Sequence, residues 1–115
     1  MKFSIIYASL RPEISEQISL GLIFLDEKGV DIRYSRNKLS AIKPLFPKKQ
    51  YKVISSIITN LKRNKKINSE SEINYLSRYS NNMISLSPLK TLDLNATRNN
   101  KETLFKTYVY NNNSL

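Results

Sequence analysis

The chain has no cysteine, no histidine and no tryptophan, and only two glycines among its 115 residues. Without Cys or His it has no disulfide scaffold, zinc finger, thiol nucleophile or His-based triad. Two isolated glycines, Gly21 and Gly29, cannot build a phosphate-cradling loop of dinucleotide-binding, P-loop or kinase type. Long apolar runs are missing as well. The longest, Leu20 to Leu25, falls far short of the roughly 20 residues that cross a bilayer. Met1-Lys2 and Phe3 to Leu10 begin like a signal peptide, but they run into Arg11-Pro12-Glu13 without a small-residue cleavage site. The expectation is a cytosolic (cytoplasmic) protein with no membrane segment.

Acid is missing locally, and this absence is the most informative. The chain carries 19 Lys and Arg against nine Asp and Glu, a formal charge of +10. Ten of those bases fall between Arg36 and Lys66: Arg36, Lys38, Lys43, Lys48, Lys49, Lys52, Lys62, Arg63, Lys65 and Lys66. No acid stands among them, and the nine bases elsewhere balance the nine acids. The whole net charge therefore sits in one internal segment.

What is present reads as strand first and helix later. Phe3 to Ser9 is rich in β-branched and aromatic residues, with Phe3, Ile5 and Tyr7 on one face, and Pro12 breaks it. Ser19 to Leu25 is apolar on both faces, as a central strand covered on both sides would be. Asp26-Glu27-Lys28-Gly29 then makes a turn with glycine where left-handed backbone is expected. In the following strand Val30, Ile32 and Tyr34 point one way, Asp31 and Arg33 the other.

Ser35 caps a short helix carrying Leu39 and Ile42, which Pro44 and Pro47 end. From about Gln50 to Lys62 the residues Val53, Ile54, Ile57, Ile58 and Leu61 share an arc of about 140°, so this segment is an amphipathic helix. Ser69 to Glu72 is a capping box opening a helix with Ile73, Leu76 and the pair Tyr75/Tyr79. Met83 to Ser87 reads as a fourth strand, and Asn99 caps a last helix with Leu104, Phe105, Tyr108 and Val109 on its apolar stripe. Together these predict one α+β domain over residues 1–110, with a polar tail at 111–115. Its small antiparallel sheet of about four strands, opening with an N-terminal hairpin, packs with about four helices. An exposed edge at Phe3–Ser9 would invite pairing, so dimerisation or partner binding is expected there or at the Tyr75/Tyr79 surface.

Site chemistry is sparse. Each acid already has a turn or capping role, and Asp26, Glu27 and Asp31 lack the spacing of a calcium loop. Fifteen serines make a Ser–Lys pairing uninformative by abundance alone. No catalytic, cofactor-binding or metal-binding residue is assigned. The candidate binding surface is Lys48, Lys49, Lys52, Lys62, Arg63, Lys65 and Lys66, and the candidate partner-facing turn is Arg11 with Glu16. Three readings of the basic surface stand open: a merely solvated face, a dock for an acidic protein, or a phosphate-binding surface for nucleic acid. With only Phe46 and Tyr51 interrupting the lysines, base stacking is weakly supported. Proline in the join between the two helices argues against a helix-turn-helix.

The stretch Glu16-Gln17-Ile18-Ser19-Leu20-Gly21-Leu22-Ile23-Phe24-Leu25 resembles the opening of an uncharacterised bacterial group, the domain-of-unknown-function 3037 family. Ser19 stands where that group usually has Asn. Ile84 to Pro88 and Leu104-Phe105-Lys106-Thr107-Tyr108-Val109 are similar to its strand-plus-proline and closing helix. The resemblance implies no reaction. It implies a partner, a HipA-like kinase encoded nearby, in a toxin–antitoxin or defence-type setting. The sequence thus favours a non-enzymatic module that binds another macromolecule, with a nucleic-acid-binding accessory protein as the alternative.

Overall fold

The computed structural model describes residues 1–11, 16–64, 70–73 and 84–110. Five strands form one antiparallel sheet: β1 (Lys2–Arg11), β2 (Glu16–Asp26), β3 (Gly29–Tyr34), β4 (Ile84–Leu86) and β5 (Lys90–Thr91). Their order is β3-β2-β1-β4, with β5 pairing the start of β1 on the same side as β4. The helices are α1 (Arg36–Ala41), a 3-10 turn at Lys43–Leu45, α2 (Lys48–Asn64) and α3 (Arg98–Phe105), which widens into a π turn at Lys106–Tyr110. Residues 70–73 are also helical. The fold is α+β.

The expected edge is not an edge. β1 lies inside the sheet, hydrogen-bonded to β2 on one side and to β4 and β5 on the other, so pairing through Phe3–Ser9 is removed. The fourth strand expected near Met83 to Ser87 is present at Ile84–Leu86, and it comes back to cover β1. The Tyr75/Tyr79 pair, Ser69 of the capping box, Pro12 and the tail 111–115 lie outside the described residues.

β2 is apolar on both faces because both are covered. On one, Ile6, Ala8, Leu20, Ile23 and Ile32 pack with Leu39 of α1, Ile42 that caps its end, Ile54 and Ile58 of α2, and Ile73. On the other, Phe3, Ile5, Leu22 and Phe24 pack with Val109 and the half-buried Leu104, Phe105 and Tyr108. Simple alternation would not achieve this. Ile6 pairs with Gly21 and Tyr7 with Ser19, leaving Leu20 as the extra residue of a β-bulge. The bulge resets the phase, so Ile18 and Leu20 join Ile23 and Leu25 on the same face.

Gly21 stands beside that bulge and is crossed closely by β3. A Cβ there would run into the carbonyl oxygen of Arg33 and lie 2.9 Å from Tyr34 Cα. The glycine is needed for backbone approach. Gly29, by contrast, is needed for its conformation, φ 122°, after the Glu27-Lys28 turn, where Lys28 N donates to Asp26 Oδ1 at 2.7 Å.

Ser35 caps α1 as expected, its hydroxyl accepting from Lys38 N at 3.1 Å. The cap of α3 is Thr97 rather than Asn99: Thr97 Oγ1 accepts from Asn100 N at 3.2 Å. Both positions carry capping residue types, and only Arg98 separates them. Val53, at the rim of the predicted apolar arc, is 43% exposed.

Replacing Phe24, fully buried under α3, by Ala should cost about 3–5 kcal/mol in urea unfolding by leaving a cavity. Gly21→Ala should cost about 1–3 kcal/mol by overpacking alone, since the atoms it meets, Arg33 O and Tyr34 Cα and Cβ, cannot rotate away. A loss below about 1 kcal/mol for Phe24→Ala would contradict the two-sided burial of β2.

Candidate basic binding surface

α2 carries the surface. Its buried side is set by Ile54 and Ile58, four residues apart, and no acid occurs between Asp31 and Glu70 to interrupt the opposite side. Lys48, Lys49 and Lys52 occupy the first turns and are exposed, and Ser56 and Asn60 continue that face. Lys62 is exposed at the far end, its Nζ 5.7 Å from the centre of the Tyr34 ring. At 1.5 Å per residue, Lys62 stands about 21 Å along the axis from Lys48, so the predicted cluster is spread along the helix. Arg36 and Lys43 add exposed cations from α1 and the 3-10 turn. The side chain of Arg63, and all of Lys65 and Lys66, lie outside the described residues.

Arg11 and Glu16 do come together. They are register partners at the end of the β1–β2 ladder where the chain passes from one strand to the next, each the terminal residue of its strand, so Glu16 belongs to β2 and not to a preceding turn. Their side chains lie outside what the structure describes.

One of the ten segment cations is not on the surface at all. Lys38 is 4% exposed. Its ammonium donates to the Ser19 carbonyl at 2.8 Å and to Ser19 Oγ at 3.3 Å, and no carboxylate among the described residues pairs with it. Burial pushes its pKa down from the ordinary lysine value. The clue was available, because Lys38 lies four residues before Ile42 and so on the inner stripe of α1.

The Lys38–Ser19 contact has the composition of a Ser–Lys dyad without its availability. Ser19 Oγ donates to the Tyr108 carbonyl at 2.6 Å, which commits the hydroxyl proton, and both residues are buried. Their job is to join layers. Lys38 ties α1 to β2, and Ser19 ties β2 to the π turn after α3.

Elsewhere several charges are paired. Lys101, only 12% exposed at its side chain, reaches Asp26 at 3.6 Å and Asp31 at 3.2 Å and sits 5.6 Å from the Phe24 ring centre. Arg33 pairs with Asp31, Lys2 with Glu70, and Arg98 with Glu102. A cavity of about 650 Å³ between the sheet end and the segment Leu94–Thr97 that precedes α3 is lined by both signs of charge, including Lys2, Asp26, Glu27, Lys28 and Glu70.

A second cavity, of about 490 Å³, lies on the basic side where the 3-10 turn meets α2. It is lined by Lys43, Pro44, Phe46, Lys48, Tyr51 and Lys52. The Tyr51 hydroxyl is spent on the Leu39 carbonyl at 2.8 Å, leaving its ring to the cavity, with Lys43 Nζ 6.0 Å from the ring centre.

No family model, no curated protein and no solved structure matches this chain. Among the described residues no helix is long and apolar enough to cross a membrane.

A buried, uncompensated ammonium has a pH signature. Below its lowered folded-state pKa, Lys38 is protonated in both states; between that value and the ordinary lysine value of 10.5, the unfolded chain binds more protons. Stability contributed at this site therefore rises with pH through that window. Denaturation midpoints of the wild type and Lys38→Met, compared from pH 7 to pH 10, should show the wild type gaining on the variant. A constant difference, or one moving the other way, would mean that burial does not lower the Lys38 pKa.

Proposed function

We propose that the protein is a non-enzymatic binding module that engages another protein through the basic face of α1 and α2. One observation carries this reading. The ion pairs among the described residues use Lys2, Arg33, Arg98 and Lys101, whereas none includes the exposed Arg36, Lys43, Lys48, Lys49, Lys52 or Lys62. Exposed Lys28, Lys90 and Lys106 are in no such pair either, but each has an acid within four residues, Glu27, Asp93 and Glu102, whereas no acid occurs between Asp31 and Glu70. Such a field steers an acidic partner and speeds encounter.

Apolar side chains on that side favour a protein over a polyanion recognised by charge alone. Leu45 is 63% exposed and Val53 is 43% exposed. A protein interface uses an apolar centre with a charged rim, whereas phosphate contacts do not need one. Two copies meeting at this face would set like charges against each other, which argues for a different, acidic chain. The family resemblance supplies the particular partner proposed, a HipA-like kinase in a toxin–antitoxin or defence-type setting. The second reading, nucleic-acid binding, draws support from Ser56 and Asn60, which extend the lysine face with hydrogen-bonding groups.

Zero-length carbodiimide cross-linking in the cells that produce the protein, followed by nuclease treatment and mass spectrometry, distinguishes the two. The expected cross-links join Lys43, Lys48, Lys49, Lys52 or Lys62 to Asp or Glu of one partner protein. Nucleic acid as the only captured material, with binding that falls about a thousandfold from 50 to 200 mM salt, would replace the protein reading with the second.

A further inference from the structure

The cavity at the start of α2 has a floor and rim of different chemistry. Phe46, 9% exposed, and the half-buried Tyr51 make the floor with Pro44 beside them, and Lys43, Lys48 and Lys52 stand around it. The floor offers no free hydroxyl, because that of Tyr51 is bonded to Leu39. Its occupant is therefore apolar at the centre.

The rim calls for negative charge, and so does the helix behind it. Lys48 and Lys49 lie in the first turn of α2, where the helix macrodipole is already positive, and no acid in that turn offsets them. This arrangement is unfavourable in the free chain and is relieved by an anion. Three flexible ammonium groups neutralise several carboxylates without fixing their geometry, unlike the bidentate forks that select a single phosphate. Base stacking is poorly served, since Phe46 is largely covered and Lys43 Nζ sits near the Tyr51 ring.

We infer that this groove is the docking site for a short acidic segment of a partner protein that inserts one large apolar side chain between the lysines. The inference rests on the binding-module reading and narrows it to one site and one ligand chemistry. Charge complementarity selects the occupant, and a volume of about 490 Å³ lies in the range of formed ligand pockets.

Fluorescence anisotropy with a labelled nonapeptide, a central leucine flanked on each side by four glutamates, tests it directly at 50 and 150 mM salt. The peptide should bind. Replacing its leucine by alanine, or its glutamates by glutamines, should weaken binding about tenfold or more in each case. Lys48→Glu with Lys52→Glu, both exposed positions, should weaken binding at least as much while the circular dichroism spectrum stays unchanged. Lys28→Glu, at the other cavity, should leave it unaffected.

No binding at 50 mM salt overturns the inference, as does binding indifferent to the leucine or to the double reversal. So does tighter binding of a twelve-nucleotide oligothymidylate that the same reversal abolishes. A nuclease-resistant protein partner still cross-linked to Lys49 or Lys62 in the double variant would overturn the groove while leaving the binding-module reading intact.

Discussion

The three layers of this protein meet at one irregularity in β2. Leu20 has no partner across β1, and at that bulge the backbone turns its groups toward the helices. Ser35 N, at the start of α1, donates to the Leu20 carbonyl at 2.8 Å, and Lys38 Nζ takes the Ser19 carbonyl. Ser19 Oγ reaches the other way, to Tyr108 in the π turn that ends the C-terminal helical segment. A buried carbonyl left without a donor would cost about 1–3 kcal/mol, so each of these contacts fixes a position as well as satisfying a group. The bulge also keeps Leu20 and Ile23 on one face, which allows β2 to be apolar on both sides and fully used on both.

From that anchor follows the placement of the basic face. α1 is held to β2 by Ser35 and Lys38, and Tyr51 holds α2 to α1 through the Leu39 carbonyl. α2 then buries Ile54 and Ile58 and presents Lys48, Lys49 and Lys52 outward. The acids sit outside this segment, and four of them, Asp26, Asp31, Glu70 and Glu102, pair with Lys101, Arg33, Lys2 and Arg98. Charge separation in the sequence becomes charge separation in space because α1 and α2 are consecutive and share one side of the sheet.

Much of this was legible in the residues. The two-sided character of Leu20–Leu25, the turn ending at Gly29, the alternation of Val30, Ile32 and Tyr34 and the Ser35 cap all depend on local pattern, and all stand as expected. Non-local pairing was not legible. Nothing near Phe3–Ser9 announces that Ile84–Leu86 will pair with it, so an interior strand read as an edge. The identity of cations as surface groups also failed once, at Lys38, because counting charge ignores which side of a six-residue helix a lysine occupies. Of the candidate site, the run Lys48, Lys49 and Lys52 was plain from the absence of acid. The groove between the 3-10 turn and α2 was not, since it depends on how Pro44 and Phe46 are set against Tyr51.

We propose that the lysines of the α1–α2 face serve a partner and not the fold. Uncompensated like charges weaken a free protein slightly and contribute to binding only when an opposite surface arrives. Quantitative mass spectrometry of proteins captured from the producing cells, by the wild type and by a variant with Lys43, Lys48, Lys49 and Lys52 all changed to Gln, measures this directly. The expected result is a nuclease-resistant protein partner whose recovery falls about tenfold or more with the variant, even though the variant unfolds at an equal or higher temperature. Recovery of the same partner in the same amount by both proteins would contradict it.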